Sequence, residues 1–293
     1  MNRIKPRTNL FFSLVAILIS ILTVLPLLFV IIISFSSETS IVEKGYSFLP
    51  RALSLDAYIY LLDNISYIGR AFLLSAVVTI MGTVLSLWLI GTMAFALSQK
   101  QFSLQKLYTI LIMIPMFFGG GLVASYVVNT QLLNLKNNFF ALILPQACST
   151  WYIFVMRTYF RENISSELLD AAKIDGAGTL RTFFAIVIPL AKPIITTIGL
   201  LEAFAYWNSW YYAMIYIRPE HRELYPLQYV LYSLQKNAEF LAGSDNISGQ
   251  VIARVPTETF RMAVVVIITI PIIAAYPLIR KHFVKGIMLG AIK

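Results

Sequence analysis

The chain has 293 residues, of which 58% are hydrophobic and only 13% charged, and a formal net charge of +9. A soluble domain carries about a quarter charged residues, so much of this surface must face something other than water. The single cysteine, Cys148, lies in an apolar run and excludes a disulfide framework or a cysteine metal site.

At the N-terminus, Arg3, Lys5 and Arg7 precede the apolar stretch Leu10–Ile33. A signal-peptide core has only about 7–15 apolar residues, so this stretch reads as an uncleaved first span. Five more stretches are long enough to cross a bilayer: Ala71–Leu97, Leu107–Val128, Phe139–Met156, Pro193–Ile217 and Ala263–Ile279. Pro26, Pro115, Pro145 and Pro271 fall inside spans, where membrane helices tolerate proline. Strands would need alternating polarity and barrel closure. The expected fold is therefore an all-α polytopic membrane protein with six transmembrane helices, forming one membrane domain over residues 1–293.

With the N-terminus inside, both termini are cytoplasmic, and fourteen lysines and arginines lie inside against nine outside. Four acids then lie inside and nine outside, with Glu202 within a span. The basic excess is the positive-inside pattern of a membrane protein, not a nucleic-acid patch. Three hydrophilic segments exceed a simple connector: 34–70 and 218–259 outside, and 157–192 inside. Loops of that length are often functional.

The inner segment opens on Ser165, Ser166 and Glu167, whose hydroxyls and carboxylate suit a helix start. Leu168, Ala171 and Ala172 follow at helical spacing, giving one small apolar face. Asp175-Gly176 is a turn pair and Gly176 can take the left-handed geometry that stops a helix, with Ala177 beyond it. A second amphipathic segment, Leu180–Ile188, runs to Pro189. The expectation is helix, tight turn, helix at the inner membrane surface, with alanines that let another protein's backbone approach.

This pattern resembles the permease subunits of bacterial binding-protein-dependent (ABC type) importers. Their cytoplasmic signature is Glu-Ala-Ala, three residues, Gly, nine residues, Ile-x-Leu-Pro. Here it reads Asp170-Ala171-Ala172, Gly176, then Ile186-Val187-Ile188-Pro189, with Asp170 in place of Glu and Ile188 in place of Leu. Asp keeps the charge and shortens the reach. Ile174-Asp175-Gly176-Ala177 with Pro189–Pro193, Trp207-Asn208 with Trp210, and the tail Phe283–Lys293 are similar to the carbohydrate branch. Phe118–Leu122 and the Gly286–Gly290 tail are similar to permeases for oligosaccharides or polysaccharide fragments.

The resemblance implies the type I importer permease fold in a bacterial inner membrane. It also implies a second, homologous permease, two ATP-binding subunits docked on the inner loop, and an extracytoplasmic sugar-binding protein. Glu167, Asp170, Ala171, Ala172, Asp175, Gly176, Ala177 and Pro189 would then form the coupling loop. Gly243, Ser244, Asp245 and Asn246, in the flexible part of the last external segment, would meet the binding protein.

For the substrate path, Glu202 sits near mid-membrane, where an acid is costly and faces a cavity or a partner. Tyr206, Trp207, Asn208 and Trp210 follow it. Sugar C–H faces pack on aromatic rings, and hydroxyls need amide or carboxyl partners. Two other readings stand beside this: Trp207 and Trp210 in an interfacial aromatic belt, and Glu202 holding a helix of the partner permease. No Gly-rich loop ending in Gly-Lys-Ser/Thr is present, so the chain is not an enzyme and another subunit hydrolyses ATP. His221 and His282 lack a metal or triad context, and no metal or cofactor is expected. Besides lipid and the transporter subunits, no partner is called for. A gradient-driven carrier, with its usual internal repeats, and an importer permease for a non-sugar solute are the alternatives.

Overall fold

A computed structural model describes residues 6–63, 65–99, 101–242 and 257–288. Among them the regular elements are helices, and the one strand-like feature is an isolated bridge between Ser36 and Leu53. The helices are α1 (Pro6–Ser34), α2 (Glu38–Lys44), α3 (Asp56–Asp63), α4 (Ile65–Ser98), α5 (Gln105–Phe117) and α6 (Gly121–Val127). They continue with α7 (Thr150–Asn163), α8 (Ser166–Ile174), α9 (Thr179–Thr182), α10 (Ile188–Leu190), α11 (Lys192–Trp207) and α12 (Tyr211–Tyr216). The last two are α13 (Leu227–Ala242) and α14 (Thr257–Met288).

The apolar stretches behave unequally. Leu10–Ser34 and Ile65–Ser98 are each long and apolar enough to cross a membrane alone. The stretch Leu107–Val128 is split between α5 and α6, because Phe118–Gly120 leaves the helix and Gly121 takes φ 75°. Around Pro145 the chain is 3-10 helical, and Phe139–Gln146 bends by 52° into Thr150–Asn163. Thr179–Leu190 bends by 83° into Lys192–Trp207, with Ala191 at the corner and Pro193 in the first turn of α11. Proline in a first turn needs no amide partner there but cannot carry a helix through from behind. The predicted third and fourth spans thus differ from single rods at Phe118–Gly121 and near Pro145, the bend at Ala191 falls just before the predicted fifth span, and that span breaks between Trp207 and Tyr211.

The chain forms two compact units. One comprises Met1–Ile68 with Leu231–Ile272, as far as these are described. There α1 is exposed over most of its length, as befits a lipid-facing rod, and its C-terminal end is tied down. Ser34 Oγ lies 2.8 Å from Tyr58 OH, and Phe35 stacks on the Tyr58 ring at 4.8 Å. The Glu38 carboxylate caps α14, accepting from Glu258 N at 3.0 Å and from Thr259 N and Oγ1 at 2.9 and 2.8 Å. A carboxylate at a helix N-terminus satisfies free amides and the positive dipole end together. Tyr46 OH donates to Glu258 Oε2 at 2.8 Å, and burial together with that carboxylate pushes the phenol up to about 12, so it remains a donor at neutral pH.

The other unit comprises Gly69–Val230 and Ile273–Lys293, again as far as described. Its core joins Ile90, Ala94, Phe95 and Leu97 of α4 to Ile153, Met156 and Phe160 of α7. Phe183, Val187, Ala191 and Ile198 complete it from the bent stretch around α9–α11. This core carries the candidate site residues at both of its ends.

Candidate functional site

At one end of this core, Ser165 caps α8 by accepting from Leu168 N at 3.3 Å, and Glu167 sits in the first turn. Ala172 is buried, and Leu169 packs against the core cluster. Ala171, Asp170, Glu167 and Asp175 are exposed. The single alanine face read from the sequence is therefore divided, with Ala172 inward and Ala171 outward. The helix stops where Ala177 N returns to Ala172 O at 2.8 Å with Gly176 at φ +79°. Nothing lies within 4 Å of a Cβ built on Gly176, so the constraint there is one of backbone conformation, not space. Beyond the turn, a π-helical stretch Phe183–Val187 links α9 to α10, which holds Pro189 exposed.

Leu168, Ile174, Leu180 and Phe184 project apolar side chains outward from this loop, Ile174 with 87% exposure. The loop is nevertheless fastened behind. Lys173 Nζ bonds Gln101 Oε1. The Leu97 carbonyl, at the C-terminus of α4, accepts from Arg157 Nε at 3.1 Å, from Arg161 at 3.3 Å and from Gln105 Nε2. Cations and donors at a helix C-terminus satisfy free carbonyls and the negative dipole end.

Toward the middle of the bundle, α4 and α11 approach closely. A Cβ on Gly82 would fall 2.5 Å from the Tyr206 ring, and one on Gly199 would meet Leu87 at 3.0 Å. Tyr206 is buried, its hydroxyl 3.1 Å from Ser86 Oγ and donating to Ile143 O at 3.1 Å. Glu202, only 3% exposed, is buried beside Ser86. Trp207 is buried edge-on against Phe72, with centroids 5.6 Å apart. Glu202, Tyr206 and Trp207 thus belong to the packing of α11 on its neighbours within this chain. Ser86 and Gly82 escaped the sequence reading. Their signal is the small and polar stripe Ser75, Thr79, Gly82, Thr83 and Ser86 along an otherwise apolar helix.

Asn208 and Trp210 differ. The helix breaks here, between α11 and α12, leaving Asn208 exposed and Trp210 half-buried. Asn208 Nδ2 donates to Phe204 O at 2.9 Å, and Asn208 Oδ1 accepts from Gln228 Nε2 at 3.2 Å. Gln228 lies in the segment 218–259, read from sequence as an external loop. Its neighbours Tyr225, Leu227 and Val230 are buried, and Leu227 N donates to Ser75 Oγ on α4 at 2.8 Å. That loop thus starts by folding back against the bundle. Gly243, Ser244, Asp245 and Asn246 lie outside the described residues.

Known proteins give this arrangement a context. No protein-family model matches the chain. It is 35% identical over 277 residues to the polygalacturonan/rhamnogalacturonan transport system permease protein YtcP of Bacillus subtilis (strain 168), covering 94% of this chain and 95% of that one. To Protein LplC of the same organism it is 32% identical over 272 residues, covering 93% and 90%. Its fold matches a crystal structure of a bacterial ABC transporter involved in the import of the acidic polysaccharide alginate, with a TM-score of 0.79 and 28% identity over 97% of this chain and 100% of that one. Full-length likeness in both sequence and fold leaves the gradient-driven carrier without support, and the chain belongs to the permease subunits of carbohydrate-uptake ABC importers.

Proposed function

We propose that this chain is one permease of an importer that moves an oligosaccharide or polysaccharide fragment across the cytoplasmic membrane, driven by ATP hydrolysed on partner subunits. The observation that carries the reading is the α8–Gly176–α9 loop. It is fastened to the bundle through Leu169, Ala172 and Lys173, yet holds Leu168, Ile174 and Leu180 out to a partner. Contiguous exposed apolar groups rimmed by charge mark protein docking sites. In this reading Glu167, Asp170, Ala171, Asp175, Gly176, Ala177 and Pro189 present that surface to an ATP-binding subunit, and Ala172 anchors it. Oligosaccharide and polysaccharide transport by YtcP-like relatives, named for polygalacturonan and rhamnogalacturonan, supports the substrate class.

The membrane arrangement follows from the same reading. Residues 1–293 form one permease domain with six spans and both termini cytoplasmic. The bent and split stretches count as single crossings, and the charge asymmetry of the loops supports the orientation. A second, homologous permease, two ATP-binding subunits and an extracytoplasmic sugar-binding protein complete the assembly. The path for sugar runs along the broken helix at Asn208 and Trp210, with Glu202, Tyr206 and Trp207 bracing it from behind. The stretch 243–246 meets the binding protein.

The test is uptake of labelled short oligogalacturonides into proteoliposomes holding the whole importer. Uptake should require ATP and the loaded binding protein and persist when ion gradients are dissipated. Uptake that follows a proton or sodium gradient without ATP would sink the reading. Cysteines at Ser165 and Arg222, in a chain lacking Cys148, should label from opposite sides, and labelling from one side would remove the six-span arrangement.

A further inference from the structure

The break between α11 and α12 carries a polar pair that the family signature does not explain. Asn208 follows the sixteen-residue helix Lys192–Trp207, about 24 Å along its axis at 1.5 Å per residue. The apolar layer is about 30 Å thick, so the pair sits inside it, toward the outer half. An exposed amide at that depth is costly against lipid and must face a water-filled path or another polar surface. Both polar ends of Asn208 are already engaged, by Phe204 O and by Gln228 Nε2. Asn208 thus keeps one amide hydrogen, while its carbonyl oxygen is turned to Gln228.

Gln228 is the opposite case. One of its amide hydrogens goes to Asn208 Oδ1, and its Oε1 has no hydrogen-bond partner among the described residues. It is half-buried and held on both sides. Leu227 before it is fixed by the bond from its amide to Ser75 Oγ, and Val230 after it is buried. A preorganised side chain with one free acceptor and one free donor fits vicinal ring hydroxyls, each of which can donate and accept. A carboxylate alone would leave the acceptor unanswered.

We propose that Gln228 is a sugar-contacting residue of the transport path, reading a pair of ring hydroxyls, and that Asn208 is its positioning residue. The subsite rests on the importer reading above. It gives the segment after α12 a second duty: its first turn belongs to the path.

The experiment uses the whole importer in proteoliposomes, with trigalacturonate as the probe, and measures sugar moved per ATP hydrolysed. Gln228→Leu should lower that ratio about fivefold, the worth of one hydrogen bond or two, while ATPase stimulation by the loaded binding protein stays near wild type. Gln228→Glu loses both amide hydrogens, including the one on Asn208, and sets a charge against the acidic probe, so its ratio should fall at least as far as in Gln228→Leu. Asn208→Leu should resemble Gln228→Leu. An unchanged ratio in Gln228→Leu overturns the subsite. So does a parallel fall of ATPase, uptake and assembled complex, which would mark Gln228 as a contact to the partner permease or as structural. If the wild-type importer hydrolyses ATP with its binding protein but moves no sugar probe, the functional reading itself fails and the subsite with it.

Discussion

Two hydrophilic segments of this chain have similar sequence character and opposite fates. Ser165–Ala177 and Arg218–Val230 each mix charges, apolar residues and a turn former, and each follows an apolar stretch. In the first, Gly176 turns the chain outward and leaves Ile174 almost fully exposed. In the second, Pro226 is followed by Leu227 at 1% exposure, and the backbone amide is anchored on α4. The first is shaped by backbone conformation and kept available. The second is shaped by burial and becomes part of the bundle. Apolar content alone does not decide whether a loop stays out; what decides is whether a complementary acceptor or cavity exists in the fold.

Substitutions can break this contrast or sharpen it. The largest effect should come from Leu227→Ala, which empties a buried position: about 3 kcal/mol, read as a lower thermal midpoint of the purified importer. Equal stability would mean that the segment is not core. Ser75→Ala leaves the Leu227 amide buried without its acceptor, at about 2 kcal/mol. Limited proteolysis should then cut more readily between Arg218 and Leu227, and protection equal to wild type would count against the anchor.

In the Ser165–Ala177 segment the effects are smaller in energy and larger in coupling. Gly176→Val forces a β-branched residue to φ +79° in open space, about 1–2 kcal/mol of local strain. ATPase activity stimulated by the loaded binding protein should fall while insertion in the membrane is kept. Gly178→Ala, at an ordinary φ with nothing within 4 Å, serves as the neutral control. Ile174→Ala should change stability by less than about 0.5 kcal/mol, as exposed positions do, yet weaken co-purification of the ATP-binding subunit. Undiminished co-purification would take the outward apolar groups out of the docking surface.

Much of the plan was legible in the residues. α1 and α4 announce themselves by uninterrupted apolar length, and α8 by Ser165 before Glu167 and Gly176 after Ile174. The breaks were less so. A hydropathy window averages across Pro145 or across Ser209 and sees one span, whereas the backbone sees a lost amide or an unsupported turn. The burial of Tyr225–Val230 was hidden by the charged residues Arg218–Glu223 just before it. The Ser75–Leu227 bond spans 152 positions, and no local pattern encodes it. Likewise Glu202 marked itself as a costly acid, but its companion Ser86 needed the fold to bring α4 and α11 together.

The carboxylate of Glu38 has a consequence for biogenesis. Its acceptors serve amides and a hydroxyl more than two hundred residues downstream, Thr259 being 221 positions away. During synthesis, Glu38 leaves the ribosome long before α14 exists, so α14 meets a carboxylate made well ahead of the amides that it accepts from. This contact within the unit therefore forms only after Thr259 has been made. A ribosome stalled before Thr259 would leave those oxygens without their helix amides, a chemical mark by which a chain lacking α14 differs from one that has it.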